Sequence, residues 1–91
     1  MWYKLPHRMS THETPQIAKR VGSNIRAARL ARGLTQQQLA QLVNASGGGR
    51  DVSRWENGGV EPGPKYRQPL ADALFEGDLS ALYREPAEVV V

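Results

Sequence analysis

The sequence predicts an all-α fold, a compact bundle of about five short helices. Three observations carry that expectation. Apolar residues recur at helical spacing in one segment after another. Glycine, asparagine or proline stands where each segment must stop. Ninety-one residues of ordinary apolar content suffice for one small core.

The first helix is announced by Thr14-Pro15, an N-cap followed by proline at the first helical position. Ile17, Val21, Ile25 and Ala28 then share one face, and the helix is predicted to run to about Arg32. Gly22 in its middle reads as a mild weakness. Residues 1–14 precede it as a flexible arm, because Met1 to Glu13 show no helical period. The arm carries Trp2, Tyr3, Lys4 and Arg8, and Leu30, off the main stripe, is placed to receive it. Met9 offers a second possible start.

Gly33 suits a left-handed cap at the end of the first helix. Leu34 supplies an apolar anchor, Thr35 an N-cap, and Gln38 three residues later a capping box. A second helix is predicted over about Gln36 to Val43. Its buried stripe of Leu39, Ala40 and Leu42 is too short to stand alone, so it must pack on something. Asn44 can take positive φ and end it. After Gly47-Gly48-Gly49, which reads as a mobile or re-routed turn, a third helix spans about Arg50 to Glu56. Val52, Trp55 and Ser53 begin its stripe, and Asn57-Gly58-Gly59 stops it.

A fourth helix starts near Pro64 with Tyr66, Leu70, Ala73 and Leu74 on its apolar face. Pro69 predicts a kink there, or a restart at Gln68. Gly77-Asp78 breaks and recaps the chain, and Leu79, Leu82 and Tyr83 form a short fifth helix ended by Glu85-Pro86. The domain thus spans 15–84, and 85–91 is a tail.

Charge is unevenly spread. Residues 1–67 hold eleven Lys or Arg against four Asp or Glu, a balance of +7. Residues 68–91 hold Arg84 against five acids, a balance of −4. A basic half containing the helix pair fits a polyanionic partner, although a solvated basic surface is common in domains of any function. With no cysteine, no leader-like apolar run and no stretch able to span a bilayer, a cytoplasmic protein without membrane contact is expected.

At Gly33 to Gly58 the chain resembles the Cro/phage-repressor family of helix-turn-helix proteins, also called the XRE family. The matching pieces are Val21-Gly22-Ser23-Asn24-Ile25-Arg26, Arg32-Gly33-Leu34-Thr35-Gln36, Gln38-Leu39-Ala40 and Val52-Ser53-Arg54-Trp55-Glu56-Asn57-Gly58, followed by Pro62. The resemblance spans roughly residues 20 to 83 and implies a lambda-repressor-like bundle that binds DNA. One departure stands out. The family has three residues between the turn serine and the apolar residue represented by Val52; this chain has five after Ser46, from Gly47 to Asp51.

Within that frame the third helix is the recognition helix. Arg50 and Arg54, four apart, share a face, and arginine reads guanine through paired hydrogen bonds. Ser53 and Gly49 are the other candidate base-reading positions. The alternative is two exposed arginines paired with Asp51 or Glu56. The resemblance places a phosphate-clamping glutamine at Gln36, at a helix start that favours anions. Gln37, Asn57 and Lys65 are candidates to assist it. It also implies a structural salt bridge between Arg29 and Glu56. The arm is either a basic strand tracking a DNA groove or a frayed terminus.

Other chemistries find no support. The three glycines lack the Lys-Ser/Thr that a phosphate loop needs, and no strand precedes them. His7 and His12 do not share a helical face, and no metal site or cofactor is expected. No nucleophile, base and orienting acid can be assembled, so no enzyme is expected. The sequence therefore leads to a DNA-binding transcriptional regulator, a repressor that recognises an inverted repeat as a homodimer at least on DNA. The competing reading is a protein-interaction module, antitoxin-like, that engages a protein partner through its acidic C-terminal section.

Overall fold

Five helices follow one another along residues 4–85, which the computed structural model describes, with side-chain surroundings from residue 16 onward. They are α1 (Lys4–Ala31), α2 (Gln36–Val43), α3 (Gly49–Glu56), α4 (Pro64–Leu74) and α5 (Leu79–Leu82). The all-α bundle is as expected. Met1, Trp2 and Tyr3 of the expected arm, and tail residues 86–91 with Val89 to Val91, lie outside the described residues, as do the side chains of His7, Arg8 and His12.

The first three helices end by one local rule. Gly33 (φ 69°), Asn44 (φ 58°) and Gly58 (φ 77°) each take the left-handed conformation within two residues of a helix end. In each case the next amide reaches back five residues: Leu34 to the Arg29 carbonyl, Ala45 to Ala40, Gly59 to Arg54. The left-handed residue's own amide reaches back three, which completes the paired-bond C-terminal motif. These sharp stops let short helices turn back on one another. Thr35 and Gln38 form the predicted capping box, with both bonds present, at the start of α2. Asp78 caps α5 by accepting from the Ser80 amide.

All five helices feed one core. Val21 and Ile25 of α1 meet Leu39, Ala40 and Val43 of α2, Val52 and Trp55 of α3, Leu70 and Leu74 of α4, and Leu82 of α5. Trp55 also lies against Tyr66, ring centroids 5.2 Å apart at 50°. Four residues cannot hold a helix by themselves. Fully buried Leu82 gives α5 its anchor, at about 1.5–3 kcal/mol for such a side chain. Asn24 on α1 adds two bonds, its Nδ2 donating to the carbonyls of Leu82 at 2.9 Å and Arg84 at 2.8 Å. None of the described helices is long and apolar enough to cross a membrane.

The structure departs from the sequence reading in four places. First, α1 begins at Lys4, so residues 4–14 continue the helix and Thr14-Pro15 does not start it. Pro6 falls in the first turn, where proline is tolerated, and Pro15 forfeits one internal bond without ending the helix. Second, Leu42 is 60% exposed, and Val43 takes its place in the core. Adjacent helical residues sit about 100° apart, and the anchoring face is the one centred on Leu39, Ala40 and Val43. Third, α4 runs unbroken through Pro69. The carbonyl left without its helical partner belongs to exposed Lys65, where water can serve it, while Leu70, Ala71 and Leu74 are buried. Fourth, the glycine turn, expected as a mobile or re-routed connection, is stitched down by hydrogen bonds. The amide of Gly47 donates to Asp51 Oδ2 at 2.8 Å, that of Gly48 to the Ala45 carbonyl at 3.0 Å, and that of Gly49 to Gln37 Oε1 at 3.0 Å.

Candidate functional site

Helix α3 is clamped at both ends and free on its outer face. Its C-terminal end rests on α1. A Cβ placed on Gly22 would fall well inside van der Waals contact distance of the Trp55 carbonyl oxygen and 3.0 Å from that of Glu56. Only glycine allows the two backbones this approach. Gly58, just past α3, also lies close to α1, where an added Cβ would stand 3.1 Å from the Lys19 Cα.

The same end is locked by Arg29 and Glu56. Arg29 Nε donates to Glu56 Oε2 at 2.6 Å and Nη2 to Oε1 at 3.0 Å, a two-pronged pair. The Arg29 side chain is 8% exposed and that of Glu56 1%. The remaining Arg29 nitrogen, Nη1, donates to the Leu34 carbonyl at 2.8 Å. Hydrogen bonding to Glu56 raises the Arg29 pKa, and Coulombic attraction to Glu56 adds to this; burial pulls the other way. Gln36 completes the knot by donating from Nε2 to Glu56 Oε1 at 3.0 Å. The structural pair that the resemblance implied is therefore present. Gln36, the candidate phosphate clamp, spends one donor on it.

The N-terminal end of α3 rests on α2. The N-cap, Gly48, has no side chain to offer the first amides. The oxygens come from elsewhere: Gln37 on α2 takes the Gly49 amide, and Asp51 reaches back to Gly47. This starts α3 one residue earlier than expected. It also engages the backbone donor of Gly49, which leaves that candidate base-reading position with no free amide and no side chain. Gln37 is drawn to the turn in the same way.

On the outer face Arg50 and Arg54 are exposed, with Ser53 half-buried beside them. Opposite them Val52 and Trp55 are buried. Neither arginine forms an ion pair among the described residues. The acids that would have competed are already occupied, Asp51 by the turn and Glu56 by Arg29 and Gln36. Two guanidinium groups thus project from one face of a rigidly seated helix, the arrangement that suits bidentate recognition of paired acceptors or phosphates. Asn57 is exposed at the end of α3, and Lys65 lies on the first turn of α4 with its ammonium 5.2 Å from the Tyr66 ring centre.

Sequence reasoning missed one residue that positions this site, Gly22, and one that ties the fold together elsewhere, Asn24. Gly22 read as a weakness although it is where α3 docks. A glycine inside an otherwise good helix is the signal that pointed there. Asn24, part of a stretch that carries the resemblance, gave no sign that it ties down the end of α5, since its two acceptors lie 58 and 60 residues away. Comparison of the chain with family models, with curated proteins and with solved structures finds no match.

Proposed function

We propose that this protein is a cytoplasmic, sequence-specific regulator of transcription that binds double-stranded DNA as a dimer and represses at an inverted-repeat operator. The observation that carries the reading is the pair of arginines, Arg50 and Arg54, without an ion-pair partner among the described residues, on the outer face of a helix held at both ends. At 1.5 Å per residue an eight-residue helix is about 12 Å long, and the major groove is about 12 Å wide. The basic balance of residues 1–67 and the resemblance of residues 20 to 83 to the Cro/phage-repressor family point the same way.

One short helix touches few base pairs, so two copies supply the specificity that one lacks. The dimer reading calls on the region of α5, where Leu79 stays 39% exposed. Selection of bound duplexes from a random library tests the proposal. Enrichment of an inverted repeat with half-sites about 34–36 Å apart supports it. A library that emerges unenriched, at salt low enough for binding, removes it.

A further inference from the structure

The contact between Gln37 and Gly49 has more reach than a cap. Helices usually cap their first amides with the residue just before them. In α3 that residue is Gly48, with φ 65° and no side chain, so the helix borrows an oxygen from another helix. The fit is close. A Cβ on Gly49 would stand 3.2 Å from Gln37 Oε1 and 3.3 Å from the Gln37 backbone nitrogen. The first residue of α3 therefore lies against the first turn of α2. Asp51 on the other side of the turn holds Gly47, and its own amide donates to the Gly48 carbonyl at 3.0 Å.

The two-residue extension of the turn creates a freedom that these bonds remove. Three glycines in sequence allow α3 to begin at several points and several tilts. The Arg29–Glu56 lock fixes only its far end. Arg50 is the residue next to Gly49 and depends on the near end.

We infer that Gln37 is a positioning residue. By capping Gly49 across the turn it sets where α3 begins and so where Arg50 points relative to Arg54. Its effect on recognition rests on the DNA-binding reading above; its effect on α3 rests on the geometry alone. Gln37 is exposed, so its substitution leaves the core intact. The role differs from a phosphate clamp, because it acts through α3 and not on the ligand.

The test uses the full chain, isotope-labelled, in three forms: wild type, Gln37→Ala and Gln37→Glu. Gln37→Glu keeps an acceptor oxygen within reach of the amide. In Gln37→Ala the Gly49 amide resonance shifts and its hydrogen exchange quickens by about tenfold, the scale of one lost hydrogen bond. Gln37→Glu restores the slow exchange. On DNA, Gln37→Ala lowers the preference for wild-type-selected duplexes at the base pairs nearest the start of α3 by about fivefold, within the range of one base contact. Its affinity for a random duplex falls by less.

An unchanged Gly49 amide in Gln37→Ala overturns the proposal. So does an equal loss on selected and random duplexes, which would make Gln37 a backbone contact. If the wild type selects no duplex, the DNA-binding reading fails, and the Gly49 amide still decides whether Gln37 seats the helix.

Discussion

Arg29 and Glu56, 27 residues apart in the chain, meet in a two-pronged ion pair at 2.6 and 3.0 Å that joins α1 to the end of α3. Both side chains are almost wholly withdrawn from solvent. Removing one partner strands the other as a buried charge. We expect Glu56→Gln or Arg29→Met to cost about 3–5 kcal/mol, read from the urea midpoint. A loss below about 1 kcal/mol is the range of a solvent-exposed pair and would contradict the burial.

Gly22→Ala sets two principles against each other. In an exposed helix the change stabilises by about 1 kcal/mol. Here the new methyl group meets the carbonyl oxygens of Trp55 and Glu56, both backbone atoms that cannot swing aside. Overpacking of this kind costs about 1–3 kcal/mol, so the expected sign is a loss of stability. A gain in thermal midpoint would show that α3 does not sit against α1 at this point.

Arg54→Ala is expected to flatten the discrimination between selected and random DNA by about 1–3 kcal/mol. Gln36→Ala should weaken both evenly. It should also lower stability by about 1 kcal/mol, because the Gln36 amide is one of the donors to buried Glu56. Titrations at several salt concentrations separate the effects, since binding through phosphates falls steeply with salt. Retention of the wild-type sequence preference by Arg54→Ala would mean that α3 meets DNA in another register.

Asp78 makes a pH-dependent contribution. Hydrogen bonding from Ser80 holds its carboxyl below the usual range; burial opposes this, and Arg84 at 3.2 Å adds to it. A carboxylate whose pKa is lower folded than unfolded stabilises the fold above its unfolded value, about pH 4. That contribution fades as pH falls through the lower, folded value. Wild type should therefore exceed Asp78→Asn in urea midpoint at pH 6, with the gap closing toward pH 2. A gap that stays constant across that range would detach it from the Asp78 charge.

Local rules made much of this protein legible from its sequence. The capping box at Thr35 and Gln38, and the left-handed stops at Gly33, Asn44 and Gly58, are settled by residues no more than five positions apart. So are the limits of α2 and most of the inward-facing residues, because helical period and cap chemistry need no distant partner. The exposed pairing of Arg50 with Arg54 follows from a spacing of four.

What the tertiary structure decided involves residues far apart in the chain. Leu42 loses its place in the core to Val43 because the neighbouring helices select which flank of α2 is covered. Pro69 leaves α4 unbroken because burial of Leu70, Ala71 and Leu74 outweighs one missing hydrogen bond. Gly22 is required because another helix comes to rest on it. Gln37 turns toward Gly49 because the packing of α2 on α3 brings an uncapped amide within 3.0 Å of its side chain. Each outcome depends on a contact between separate helices, and neither periodicity nor capping within a single helix contains that contact.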